Sequence, residues 1–160
     1  MIELLEVRME IPEETNIIIG QSHFIKTVEN LNEAMVHIPQ ARFGLAFNES
    51  SGDGLARSEG NDEELRQVAV HNAQLIGAGH VFVLLMQNAY LLNVLHAIRN
   101  VPEVCTIFCA TANPVEVVLA QTEQGRGVLG VIDGSSLKGV RDEASVAWRH
   151  EILRTFGYGR

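Results

Sequence analysis

From Val104 to Gly134 the chain reads V-C-T-I-F-C-A-T-A-N-P-V-E-V-V-L-A-Q-T-E-Q-G-R-G-V-L-G-V-I-D-G. Three apolar, strand-length runs follow one another, rich in Val and Ile and broken only by short polar pieces. No helix fits between them, so this stretch commits the fold to strands joined by tight reversals late in the chain. The second break, Gln121-Thr122-Glu123-Gln124-Gly125-Arg126-Gly127, carries more chemistry than a reversal needs. Two residues such as Asn-Gly suffice for a hairpin. Here glycines let backbone N–H groups approach a ligand closely, and Arg126 offers a planar fork for phosphate or carboxylate. A solvated hairpin turn is the plain alternative.

Upstream, strands alternate with helices. Leu5 to Ile11 alternates apolar and charged residues and reads as a half-exposed strand. Ile17-Ile18-Ile19-Gly20 is wholly apolar, as in a sheet covered on both faces. A helix is expected over 24–38, with Phe24, Val28, Leu31, Met35 and Ile38 at helical spacing and Pro39 ending it. Arg42 to Phe47 is a further strand. The polar stretch Asn48 to Asn61 reads as a long loop, a place where function or disorder concentrates. Asn61-Asp62-Glu63-Glu64 opens a helix that runs to Ile76 and stops at Gly77-Ala78-Gly79. His80 to Met86 is a buried strand and Tyr90 to Arg99 a short helix. Asp142 to Phe156 is a last helix, followed by the tail Gly157-Tyr158-Gly159-Arg160. The expected architecture is α/β: a single domain with a mixed β-sheet flanked by helices and hairpins late in the chain.

Bulk properties exclude several functions. The 160 residues suit one domain, large enough to bury a core without staples. Twenty acidic against twelve basic residues give a net charge of -8, which argues against general affinity for nucleic acid. It leaves room for one nucleotide, which needs only a local Arg or a helix N-terminus. No run of 18 apolar residues suggests a membrane span. The charged start M-I-E-L-L-E-V is unlike a signal peptide, so a cytoplasmic location is expected. Cys105 and Cys109 would share one face of a strand, about 13 Å apart and beyond disulfide reach. They read as small buried hydrophobes in a reducing compartment.

The candidate chemistry sits at strand ends. His23 follows a buried strand at the start of an expected helix, where free N–H groups and the helix dipole suit a phosphate. Lys26 adds charge one turn on. His23 is thus a candidate phosphoryl acceptor or acid–base group, with a helix-capping role as the alternative. His80 opens a buried strand and either faces a ligand or is a satisfied core histidine. The cluster Asn48-Glu49-Ser50-Ser51, with Asp53, Arg57 and Glu59 behind it, is another candidate ligand edge, with a solvated mobile loop as the alternative. No metal pattern emerges, because no histidine pair has helical i, i+4 spacing and no CxxC is present. There is no Walker phosphate loop. Gly125 to Gly130 has the G-x-G-x-x-G form, but no helix follows it, so it fails the dinucleotide test.

The strings I-I-I-G-Q-S-H-F-I-K-T-V-E, F-G-L-A-F-N-E-S-S-G, E-G-N-D-E-E-L, G-A-G-H-V-F-V, V-P-E-V-C-T-I-F-C-A-T-A-N-P-V-E-V-V and T-E-Q-G-R-G-V-L-G-V-I-D-G together closely resemble the adenosine-specific kinase family. The resemblance runs from about Glu3 to Tyr158. It implies an α/β protein that binds adenosine or AMP, assembles as a trimer or hexamer, and carries a phosphoryl group on a histidine. Carried over by motif, that histidine is His23 or His80, with His23 and Lys26 preferred as the catalytic pair. Gln21, Asn48, His80, Asn113, Glu123, Gln124, Gly125, Arg126 and Gly127 would hold the nucleotide. No cofactor is certain, and Mg²⁺ is the chemical expectation only if ATP is the donor. A binding or sensor module without turnover is the rival, favoured by the missing ATP motif.

Overall fold

Ile17, Ile18 and Ile19 are fully buried, and so are Phe82 to Met86, because the sheet that holds them is covered on both sides. The computed structural model describes residues 1–158; Gly159 and Arg160, the end of the expected tail, lie outside the described residues. The elements run β1 (Glu3–Arg8), β2 (Asn16–Ser22), α1 (Thr27–Val36), β3 (Arg42–Asn48), β4 (Ala56–Gly60) and α2 (Glu63–Ile76). They continue with β5 (Val81–Gln87), α3 (Leu91–Arg99), β6 (Val104–Thr111), β7 (Val115–Gln121), β8 (Arg126–Asp133) and α4 (Glu143–Thr155).

The α/β class and the flanking helices are as expected, but the single mixed sheet is not what forms. The strands divide into a five-stranded sheet of order β4-β3-β5-β2-β6 and a three-stranded sheet of order β1-β7-β8. Among the described residues every pairing is antiparallel. The three late strands also part company. β7 and β8 make the expected hairpin, whereas β6 crosses to pair with β2.

One apolar cluster joins α1 and α3 to one face of the five-stranded sheet, through Val28, Leu31, Met35, Val94 and Ile98 against Phe43, Leu45, Phe82 and Leu84. The other face meets α2 and the inner side of the small sheet, through Ile19, Val83, Leu85, Ala69, Ala73, Val117 and Leu119. Burying each large apolar side chain is worth about 1.5–3 kcal/mol, so these two clusters dominate stability. Gly44 lets α2 lie directly on β3: a side chain there would collide with the backbone of Leu65 and Arg66.

Helix α2 is fixed at both ends. Asp62 accepts a hydrogen bond from the Leu65 N–H at 2.9 Å, acids fill the first turn, and Gly77 closes the helix in the left-handed region at φ +63°. Three local expectations need correction. β4 forms inside the expected loop as a sheet edge, and its charged sequence, A-R-S-E-G, hid it. Helix α1 begins at Thr27 rather than near Phe24, because His23 to Lys26 form a bend and turn, closed by the Thr27 N–H donating to the Phe24 carbonyl at 3.0 Å, with the His23 N–H turned to the Glu103 carbonyl. Cys105 is exposed while Cys109 is buried, because irregularities in the β2–β6 register break strict alternation along β6.

Candidate functional site

Three glycine-bearing segments converge at the C-terminal end of α2. They are the loop Glu49 to Gly54 after β3, the Gly77–Gly79 link from α2 to β5, and the β7–β8 turn from Ala120 to Gly127. Together they line an open cleft of about 640 Å³. The sequence marked the turn and the loop as separate candidates, and the fold brings them face to face.

Arg126 ties the turn to the helix. Its Nε donates to Gln121 Oε1 at 2.8 Å, and its Nη1 donates to the carbonyls of Leu75 at 3.1 Å and Ile76 at 3.4 Å. Those carbonyls belong to the last turn of α2, where a cation also meets the negative end of the helix dipole. Among the described residues Nη2 has no protein partner and stays available to a ligand. The turn closes with the Thr122 N–H donating to the Gly125 carbonyl at 2.9 Å, which leaves Glu123 and Gln124 at its tip. Gln124, Gly125 and Gly127 line the cleft, while Glu123 stands exposed at its rim.

Asn48 holds the opposite wall rather than facing it. Its Nδ2 donates to the carbonyls of Ala73 at 2.9 Å and Ala78 at 3.1 Å, and its own carbonyl accepts from the His80 N–H at 2.8 Å. Gly79 lies so close to the loop that a Cβ placed there would come within 2.5 Å of Ser50 Cβ.

His80 adopts a left-handed backbone at φ +62°, uncommon for a residue with a side chain and a mark of functional sites. Its ring stacks on Phe47 with centroids 5.7 Å apart. It lines a recess with Ile25, Glu49, Ser50 and Ser51, so the recess and the cleft share the Glu49–Ser51 wall. Among the described residues neither imidazole nitrogen of His80 has a hydrogen-bond partner.

His23 lies at the same end of the sheet but outside the cleft lining. The Ser22 N–H donates to the His80 carbonyl at 2.9 Å, and the His23 N–H donates to the Glu103 carbonyl at 3.0 Å. Its side chain is exposed, and Lys26 is the α1 N-cap residue, without a side-chain cap. The amide-rich anion site expected at this junction is therefore partly used up by the backbone. Gln21 pairs with Val81 and Thr106 at the same sheet end, and its side chain is exposed.

Asn113 is not brought to the site. It precedes β7 at the end opposite the turn, and its Nδ2 donates to Asp133 Oδ1 at 3.1 Å.

Two further residues organise this region: Glu103, which the sequence reading did not single out, and Arg57, which it placed only behind the Asn48–Ser51 edge. Buried Glu103 accepts from Asn30 Nδ2 at 2.5 Å through Oε1 while its carbonyl anchors His23. Arg57 donates to the Ile25 carbonyl at 2.6 Å and pairs with Glu29, which ties β4 to the segment before α1. A buried acid just after Pro102 was a visible signal. The Arg57 contacts depend on β4, which was not. The described residues contain no group of three or more His, Cys, Asp or Glu placed to hold a metal, and no helix long and apolar enough to cross a membrane.

Comparison with known proteins bears on this geometry. The family model described as "Adenosine specific kinase" matches residues 7–159. A crystal structure of the PH1918 protein from Pyrococcus horikoshii OT3 superposes with a TM-score of 0.96 at 42% identity, covering 100% of this chain and 99% of that one. No curated protein matches the chain.

Proposed function

The chain belongs to the adenosine-specific kinase family, and from that premise we propose that the cleft binds adenosine or AMP and that a histidine at its edge relays the phosphoryl group. The observation that carries this reading is the meeting of three glycine-bearing segments around about 640 Å³, with a spare Arg126 nitrogen on one side and the His80 recess on the other. That volume falls within the range of small-molecule sites, about 300–1,000 Å³. Backbone amides of the glycine segments and Arg126 suit phosphate oxygens. Gln124, with Glu123 at the rim, suits the hydroxyl and amine edges of the nucleoside.

Of the two candidate histidines, the geometry favours His80, which faces the ligand space with unpartnered ring nitrogens. In the relay a ring nitrogen of His80 attacks the terminal phosphorus of a nucleoside triphosphate, and the bond to the bridging oxygen breaks with release of the diphosphate. The 5′-hydroxyl of adenosine then attacks the same phosphorus, the P–N bond breaks and the hydroxyl proton leaves to solvent. Arg126 stabilises the charge on the transferring oxygens. His23 and Lys26, one strand away, are the rival acceptor and its cationic neighbour. With ATP as donor a Mg²⁺ ion would enter on the triphosphate, whose phosphates and waters supply most of its ligands. The reaction belongs in the cytoplasm, and the acting unit is a trimer or hexamer.

Intact-mass measurement after incubation with ATP tests this. An acid-labile phosphate adduct should form on the wild type and on His23→Asn, be lost in His80→Asn, and disappear on adding adenosine. An adduct that is lost only in His23→Asn moves the relay to His23. AMP binding without any adduct removes turnover and leaves a nucleotide-binding module.

A further inference from the structure

The last helix is out of place for a globular protein. Asp142 caps α4 by accepting from the Ser145 N–H at 2.8 Å, yet no residue of the helix is buried. Trp148 is 52% exposed, Val146 and Phe156 are exposed, and in the connecting strap so are Leu137 and Val140. A helix this short is marginal in water without packing, and this much apolar surface on one element marks an interaction site.

A matching vacancy exists on the body. The small sheet buries Leu5, Val7, Val117, Leu119 and Val128 on its inner face. Among the described residues no helix lies on its outer face: Leu4 is 69% and Ile132 46% exposed, and open space surrounds Gly130. Glu6, Arg8 and Glu116 lie on this same outer face, Glu6 opposite Val118 and Glu116 between Arg8 and Ile132 in the register.

The arm does not cover that face in its own chain. Tyr158 meets Tyr90, edge to face at 5.8 Å, beside α3. Helix α3 packs on the side of the five-stranded sheet away from the small sheet. Charge completes the match. From Gly134 onward the sequence holds five basic and three acidic residues, whereas the part before it holds seven basic and seventeen acidic.

We infer that the segment from Gly134 through α4 is an arm that docks on a second copy of this chain, laying its apolar side on the open outer face of that copy's three-stranded sheet. The body is strongly acidic and the arm mildly basic, so attraction runs from arm to body and repulsion from body to body. This deepens the assembly part of the preceding reading and is independent of nucleotide chemistry.

The chain has a single tryptophan, and it sits on the arm, so Trp148 reports docking directly. Mass by light scattering and Trp148 emission are measured on the full-length wild type and on Val140→Asp/Val146→Asp (arm) and Ile132→Asp/Glu116→Lys (sheet face). All the substituted side chains are exposed or half-buried, and circular dichroism checks that each variant folds. The expected result is an oligomeric wild type with a shielded indole. Both variants should dissociate at least tenfold more readily and show the red-shifted emission of a wetted indole. A wild-type oligomer whose mass and emission survive both variants overturns the arm while leaving the assembly intact. A monomeric wild type overturns both.

Discussion

Replacing Gly79 with alanine separates the ligand wall from the fold. The new Cβ would start 2.5 Å from Ser50 Cβ and 3.1 Å from Ser50 Cα, whereas carbon atoms pack at about 3.5–4.0 Å. One side must therefore retreat by about 1–1.5 Å. Gly79 is held between two anchored neighbours: the Ala78 carbonyl accepts from Asn48 Nδ2, and the His80 N–H donates to the Asn48 carbonyl. The loop yields instead, because it is exposed and closed only by bonds such as Gly54 N–H to the Ser51 carbonyl at 3.2 Å. A shift of an exposed loop places the stability cost at the low end for overpacking, about 1 kcal/mol, or roughly 2–4 °C in Tm. Binding should suffer more. A hydrogen bond stretched by 1 Å is lost, and one or two bonds to a phosphate or ribose represent about 1.5–3 kcal/mol, a weakening of roughly 10–100-fold. Calorimetric titration with AMP beside a thermal melt gives both numbers. An affinity within threefold of wild type would refute the reasoning, since the loop would then form no part of the ligand wall.

Arg126→Lys keeps the charge but not the fork, so it should forfeit the Gln121 bond or the α2 carbonyls; we expect a loss of about 1–2 kcal/mol in urea unfolding and AMP binding at least tenfold weaker by calorimetry. Burial pushes the Cys109 thiol up to about 11, while Cys105 is exposed; a thiol reagent at pH 8 should modify Cys105 in the native protein and Cys109 only on unfolding, as peptide mapping will show, and rapid labelling of Cys109 would contradict the fold of β6. The Asp62 carboxyl is held below its ordinary value by the Leu65 N–H and by Arg42. A carboxylate with a lowered folded-state pKa stabilises above its unfolded value, near 3.9, and loses that contribution as pH falls through and below it. The stability gap between wild type and Asp62→Ala, about 1 kcal/mol at pH 7, should therefore shrink between about pH 5 and pH 2 in denaturant titrations.

What could be read from the residues follows their physical context. β2 and β5 were visible because strands covered on both faces are apolar at every position. Helix α2 was visible because Asp62 and Gly77 mark its ends. β4 was hidden because an edge strand with charged side chains has the composition of a loop. The separation of β6 from β7 was hidden too, because its partner β2 lies far back in the chain and no local pattern names a partner. The β7–β8 turn and the Glu49–Ser51 loop were each legible as ligand edges from their glycines and polar groups. Their meeting at the end of α2 was not, since it depends on packing α2 onto β3 at Gly44. The same limit separated Asn113 from the turn: the two share a strand but stand at its opposite ends.

The pairing of β1 with β7, in register from Glu3 with Gln121 to Arg8 with Glu116, also fixes an order of events. During synthesis β1 leaves the ribosome first, and its partner follows more than a hundred residues later. At about 5–20 residues per second that wait lasts several seconds or more. Through all of it the five-stranded sheet can assemble, except for β6, while a strand with two unpaired edges trails free. Closing so long a loop is among the slowest kinds of step for a chain of this size. Of the two sheets the small one is therefore the later to be completed, and the Ala120–Gly127 wall of the cleft matures only with it.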